Sequence, residues 1–330
     1  LYFFVWVGTE IPVDFVAMGA DKHRVTTGWI FFLLVYSAIA SLLPVWLLLQ
    51  PRDYINSHQL FLALGLLLFG FLVAPFRDPA TLEIVAPAVN TDLPAQAPLL
   101  WPFLFITIAC GAISGFHCMV ASGTTARQLA SERDAHAIGY GAMILEGALA
   151  VVVILCCISA AGFSREGWIQ QYSAGWVGDQ GLIARISGFI VGGASFIEQG
   201  LGLFGLSGDA VHGFLQTVIT VVIISFAATT MDSATRIQRY VVSELASAVG
   251  SRRLLGIHLP TVVAVGSAAA LALLVRAPGG GAVGSGGLVL WPVFGVTNQL
   301  LACLTLLVLT VWLASRKVPV RYTLIPMLFM

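Results

Sequence analysis

LLWPFLFITIACGAISGFHCMV, residues 99–120, is the stretch on which the reading of this chain turns. About 20 apolar residues rising 1.5 Å each span roughly 30 Å of hydrocarbon, so it is long enough to cross a bilayer. Its second half nevertheless carries Gly111, Ser114, Gly115 and His117. Glycine weakens a helix interior by about 1 kcal/mol relative to alanine, and an imidazole sits poorly in lipid. A break at membrane depth must be surrounded by protein or by a water-filled cavity. Interrupted helices of this kind form the binding sites of many secondary transporters. The other reading is a close helix contact made by small residues.

Composition sets the class. Of 330 residues, 58% are hydrophobic and 10% are charged, against about 25% charged in a soluble domain. This is an all-α, polytopic membrane chain. No long polar linker divides it, so residues 1–330 read as one transmembrane domain. The formal net charge is zero, which gives no electrostatic case for nucleic acid. The five cysteines lie in apolar segments without zinc or CxxC spacing, so no metal site is expected. No nucleophile–base pair emerges, and the 279–281 glycines lack the Lys-Ser/Thr of a phosphate loop. An enzyme is therefore disfavoured, and no cofactor is expected.

Complete spans are predicted at 28–49, 60–76, 99–119, 138–160, 211–230, 258–275 and 288–313, about seven in all, with partial helices at both ends. Residues 161–210 hold Arg185, Glu198 and Gln199 among many glycines. They read as an extracytoplasmic loop or re-entrant hairpin. Residues 231–257 read as an amphipathic, arginine-containing cytoplasmic segment. With that topology ten Lys and Arg gather on one side and six on the other. The richer side is assigned to the cytoplasm.

Polar residues inside spans carry the functional expectation, because each costs free energy in lipid. Thr229, Thr230, Asp232 and Ser233 offer hard oxygens suited to a small cation, or a carboxylate that takes a proton. A cap, or a salt bridge to Arg236 one turn on, is the competing reading of Asp232. Glu146, inside its span, suits a proton carrier or a buried hydrogen-bonding partner. His117 titrates near neutral pH or makes a structural hydrogen bond. Ser122, Gly123, Thr124 and Thr125 follow the interrupted helix, where backbone N–H groups can meet a carboxylate or simply turn. Asn298 and Gln299 read as hydrogen bonds between helices.

Five stretches together resemble the carbon starvation protein CstA family of bacterial inner-membrane transporters: PVWLLLQPRDY (44–54), CGAISGFHCMVASGTT (110–125), GYGAMILEG (139–147), TTMDSATRIQRY (229–240) and LWPVFGVTNQLLA (290–302). The resemblance implies ion-coupled symport, with H⁺ or Na⁺ as coupling ion, importing pyruvate or small peptides during carbon starvation. The family is similar in turn to the amino acid-polyamine-organocation superfamily, with its LeuT-like pair of inverted five-helix repeats. On that pattern 99–120 corresponds to the broken sixth helix and 211–232 to the eighth. Gly111, Ser114, Gly115 and His117 then face substrate, Ser122, Thr124 and Thr125 assist near the inner mouth, and Thr229, Thr230, Asp232, Ser233 and Glu146 serve the coupling ion. The family's glycine- and proline-containing first helix has no counterpart here, so the expectation is an N-terminally truncated core. The alternative is a membrane sensor or signalling component responding to nutrients.

Overall fold

A computed structural model describes residues 2–90, 101, 105–174, 181–250, 256–276, 281 and 283–330. The first residues of the 99–119 span, apart from Trp101, lie outside the described residues. So do 91–98 of the loop before it, 175–180 of the 161–210 segment, 251–255 of the arginine-containing segment and part of the glycine loop at 279–287.

Helix is the regular structure of the described residues, besides one isolated β-bridge between Ile84 and Ser159. Six helices among them are long and apolar enough to cross a membrane. They are Lys22–Leu42, Leu49–Arg77, Asp134–Ile158, Ile186–Phe204, Asp209–Ala248 and Trp291–Ser315. His258–Leu274, at 17 residues, is shorter. Five of these coincide with predicted spans. The stretch at 99–119 is absent from the six because its described part is broken, and Ile186–Phe204 takes a place that the sequence reading gave to a loop or hairpin. The chain divides into two compact units, Leu1–Gln96 with Ile138–Thr235, and Ala97–Ala137 with Arg236–Met330.

The first unit holds α1 (Tyr2–Glu10), α2 (Lys22–Leu42) and α3 (Leu49–Arg77). Asp21 caps α2 by accepting the Arg24 N–H at 3.2 Å, satisfying one of the donors that every helix start leaves free. After Pro79–Leu82 the chain pairs back on a later helix: the Val85 N–H donates to the Ile158 carbonyl at 2.9 Å, and Ala160 N–H to Glu83 at 2.8 Å.

The glycines of 161–210, which made that segment look like a poor span, have another use. The segment contains two helices, Arg165–Ala174 and Gly181–Leu201. A Cβ at Gly192 would overlap the Cys156 carbonyl, and one at Gly200 would overlap the Phe69 ring. Gly70 on α3 likewise has no room for a Cβ against the Phe196 backbone. Small residues let backbones approach where lipid supplies no hydrophobic drive between helices. Phe196, fully buried, stacks on Phe71 with ring centroids 3.8 Å apart. Arg77 donates to the Gln199 carbonyl at 2.9 Å, covering an otherwise open helix end.

The helices that follow α3 are numbered in chain order. The second unit begins with α4 (Phe105–Ala112), α5 (Gly115–Val120), a π-helical turn at Ala121–Thr125 and α6 (Ala126–Gln128). In the first unit follow α7 (Asp134–Ile158, whose first turn lies in the second), α8 (Arg165–Ala174) and α9 (Gly181–Leu201). Helix α10 (Asp209–Ala248) contributes its residues up to Thr235 to the first unit and the remainder to the second. The second unit continues with α11 (His258–Leu274), α12 (Gly286–Val289), α13 (Trp291–Ser315) and α14 (Arg321–Phe329). Its last two helices are tied by a 2.8 Å hydrogen bond between the Thr310 and Thr323 hydroxyls.

Candidate functional site

In the first unit a polar seam runs through apolar surroundings. On α3, Arg52, Asn56 and Gln59 are spaced i, i+4, i+7 and so share one helix face. Asn56 and Gln59 are buried. From α10 come Ser225, Asp232 and Thr235, and from α2 come Tyr36 and Ser37. Asp232 is completely buried. Its carboxylate accepts from the Arg52 guanidinium, which also donates to the Tyr36 hydroxyl at 3.2 Å. Ser225 donates to the Asn56 side-chain oxygen at 2.7 Å, and the Ser37 and Thr235 hydroxyls lie 2.6 Å apart.

The pairing is chemically necessary. A lone buried carboxylate costs several kcal/mol, and attraction to a nearby guanidinium offsets that cost only with good geometry and further hydrogen bonds. The seam is still incompletely satisfied. Arg52 Nε, Asn56 Nδ2 and Gln59 Oε1 are buried without a hydrogen-bond partner among the described residues. Unsatisfied polar atoms at such depth are uncommon and call for a functional or solvent explanation.

The sequence reading singled out Asp232 and missed Arg52, although Arg52 stands in one of the stretches quoted for the family. The missed signal was the i, i+4, i+7 polar spacing at the head of an apolar helix. Thr229 and Thr230 precede Asp232 by three and two residues on α10, and both hydroxyls donate to the Phe226 carbonyl, at 2.6 and 3.1 Å. Ser233 makes a long 3.5 Å contact to Asp232. Glu146 is exposed on α7, and no bond links it to this cluster among the described residues.

A second polar pairing in the same unit also escaped the sequence reading. Glu198 accepts the Gly208 N–H at 2.9 Å with one oxygen and lies 2.9 Å from His212 Nδ1 with the other. The far ring nitrogen of His212 is 2.9 Å from Gln216.

The second unit contains the break. Helical bonding stops at Ala112 and resumes at Gly115, with Ser114 extended at φ −95°, ψ 128°. The interruption falls where Gly111 and Gly115 placed it. The two glycines differ in duty. A Cβ at Gly111 would meet nothing within 4 Å, whereas one at Gly115 would overlap the Asn298 carbonyl and crowd Leu301 and Ala302. Asn298 on α13 occupies the gap. Its side-chain oxygen accepts the Phe116 N–H at 2.8 Å and the Ser114 hydroxyl at 3.2 Å. The expected bond between helices is present, and it consumes one of the backbone donors that the break sets free.

Below the break, Ala121–Thr125 form a π-helical turn, a form that is rare and concentrated at functional sites. His117, Ser122 and Thr125 are exposed and Thr124 half-buried. Ser122 donates to the Met119 carbonyl at 3.3 Å. No group of three or more His, Cys, Asp and Glu that could hold a metal ion occurs among the described residues.

A family model described as carbon starvation protein CstA matches residues 1–169 and 170–330. The peptide transporter CstA of Helicobacter pylori strain J99 is 31% identical over 319 residues, covering 85% of this chain and 44% of that protein. Its namesake in Escherichia coli is 31% identical over 327 residues, 87% of this chain and 45% of that protein. The pyruvate/proton symporter BtsT of Escherichia coli is 44% identical over 129 residues, 38% of this chain and 17% of that protein. The chain spans about half the length of the curated relatives it matches. No solved structure matches it.

Proposed function

The chain belongs to the carbon starvation protein CstA family, and from that premise we propose that it forms part of an ion-coupled symporter. The substrate is a small carboxylate, pyruvate or a short peptide, imported across the bacterial inner membrane when carbon is limiting. The core is LeuT-like, with α4–α5 as its broken sixth helix and α10 as its eighth. Helices α8 and α9 form the hairpin that this arrangement places between the seventh and eighth helices, entered from the extracytoplasmic side with α9 re-entrant and packed on α3, and residues 231–257 face the cytoplasm.

The observation that carries the reading is the fully buried Asp232, held by Arg52 at one end of a seam with unsatisfied polar atoms. Ionisable residues are costly at membrane depth and mark ion and proton pathways. Proton binding to Asp232 removes the charge that holds Arg52, and the guanidinium is then free to take another anion or another position. That gives a two-state element which a gradient can bias. Groups bonded to the carboxylate or to its Arg52 partner among the described residues include Arg52 with its neighbour Asp53 from α3, Tyr36 through the Arg52 guanidinium, and Ser233 on α10 itself. A sodium ion coordinated by the Asp232 and threonine oxygens would compete with Arg52 for the same carboxylate. A proton competes with Arg52 for it as well, and the imposed gradient tells the two coupling ions apart. At the break, the extended backbone around Ser114 and the turn at Ser122, Thr124 and Thr125 supply donors for the substrate carboxylate.

The test is uptake of labelled pyruvate and of dialanine into proteoliposomes holding the intact protein, under an imposed proton or sodium gradient. Asp232→Asn should abolish accumulation against the gradient while substrate exchange without a gradient persists. Monodispersity in detergent checks that the variant is folded. Gradient-driven accumulation by Asp232→Asn at the wild-type level would overturn the coupling role.

A further inference from the structure

The corner between α9 and α10, within the first unit, carries a titratable row that the coupling scheme leaves unused. A 3₁₀ turn at Gly202–Phe204 ends on Gly205 at φ 79°, and Gly208 at φ 115° leads into α10. Glu198, near the end of α9, holds this corner with both carboxylate oxygens. One accepts the Gly208 N–H at 2.9 Å, a donor that the start of α10 leaves free. The other lies 2.9 Å from His212 Nδ1. His212 Nε2 stands 2.9 Å from the side-chain nitrogen of Gln216. An amide nitrogen donates and does not accept, so the ring nitrogen facing it is bare. His212 is therefore neutral in this arrangement, with its one ring proton on Nδ1 and donated to Glu198. The two side chains are 27% and 22% exposed, which leaves the ring within reach of solvent.

We infer that His212 Nε2 is a proton-binding site, and that a proton bound there fastens α9 to α10 through Glu198. The proton comes from water and enters the Nε2 lone pair. The Gln216 amide turns over and offers its oxygen to the new N–H. His212 then carries a full positive charge beside the Glu198 carboxylate, and attraction between unlike charges adds to the hydrogen bond already present. Glu198 keeps its second oxygen on Gly208, so the stronger hold extends to the first turn of α10. Charged side chains on the other elements meeting at this corner include, among the described residues, Arg77 of α3, Asp209 at the head of α10 and Glu10 of α1. Arg77 donates to the Gln199 carbonyl at 2.9 Å and to the Glu198 carbonyl at 3.5 Å, and Glu10 shares a cavity with Asp209. The carboxylates attract a proton to the ring and Arg77 repels it. Imidazole is the side chain that changes charge between pH 5 and 8, so the corner is looser in base and fastened in acid. Asp232 lies 20 residues further along the same helix, about 30 Å away at 1.5 Å per residue. The corner needs neither a substrate nor the Asp232–Arg52 pair to respond.

The test uses the intact protein in nanodiscs, with two readouts at pH 8 and pH 5. NMR of ¹⁵N-labelled histidine, assigned by comparison with His212→Gln, should show the ring protonated at Nδ1 alone at pH 8 and at both nitrogens at pH 5. Hydrogen–deuterium exchange of the 202–212 backbone is expressed as protection relative to an unstructured chain at each pH. That protection should rise roughly tenfold on acidification, since a contact with a charged group is worth about one decade. His212→Gln keeps a donor for Glu198 without a titrating ring, and its protection should be the same at both pH values. Glu198→Gln keeps an acceptor for Gly208 without the carboxylate, and its protection should likewise stop responding. Monodispersity in detergent checks that both variants are folded. Asp232→Asn should keep the full response. A His212 ring with the same charge at both pH values, equal wild-type protection at the two, or an undiminished response in either corner variant would overturn the inference. Loss of the response in Asp232→Asn would also overturn it, by tracing the effect to the other end of α10. Absence of gradient-driven uptake with the pH response intact would count against the symporter reading and leave this site standing.

Discussion

Helix α10 keeps its backbone bonding for 40 residues and carries its charge on a side chain, whereas the 105–125 stretch gives up backbone bonding and carries no charge at its break. Both bring polarity to a depth where it is costly, and the compensations differ accordingly. Asp232 needs a counter-charge, which Arg52 supplies from another helix. The break needs an acceptor for freed N–H groups, which the neutral amide of Asn298 supplies. The charged pairing holds two helices together only while both partners keep their charge. The neutral pairing has nothing to titrate and serves to hold a shape.

The largest effect expected from this contrast is at Asp232. Asp232→Ala leaves the half-buried Arg52 with only Asp53 and Tyr36 as partners, which should cost about 3 kcal/mol, the low end for breaking a buried pair. The readout is unfolding by SDS in mixed micelles. The double variant Arg52→Leu with Asp232→Leu removes both charges and should recover most of that loss, since buried pairs are often replaceable by apolar residues. Recovery would mark the pair as kept for coupling. A double variant as unstable as Asp232→Ala would assign it a packing role and blur the contrast.

Second in size is Gly115→Val. The atoms that a side chain would strike are Asn298 and Ala302 backbone and the Leu301 Cβ, none of which can swing aside. Overpacking should cost about 1–3 kcal/mol, measured the same way. Gly111→Val has open space beside it and should lose much less. Equal losses at the two positions would mean that the glycines act only through helix propensity, with no contact specific to Gly115.

How much of this was legible follows the same division. The break could be read because glycines and a serine inside an apolar run violate a local rule, and local rules are visible in one dimension. Asp232 could be read for the same reason. Its partner could not, because Arg52 looked like part of a short polar turn, and only the folded chain brings residue 52 to residue 232. The glycines of 181–201 were read as disqualifying a span. They are contact points against Cys156 and Phe69, and tertiary packing outweighed their poor helix propensity. The carboxylate of Glu198 was noticed as a charge in an awkward place, yet its pairing with His212 lies across a turn that the sequence does not specify.

The smallest effect tests whether the neutral pairing at the break is a unit or two separate bonds. Asn298 accepts from both the Ser114 hydroxyl and the Phe116 N–H. Hydrogen bonds between membrane helices average about 0.6 kcal/mol in double-mutant cycles. Ser114→Ala should lose about that much, because the backbone donor keeps its partner. Asn298→Ala should lose more, about 1–3 kcal/mol, since it strands a buried N–H as well as a hydroxyl. In the cycle, Ser114→Ala made on top of Asn298→Ala should cost nothing further. A residual cost there would mean that Ser114 supports the break through its own extended backbone, independently of α13, and the break would then depend on local sequence alone.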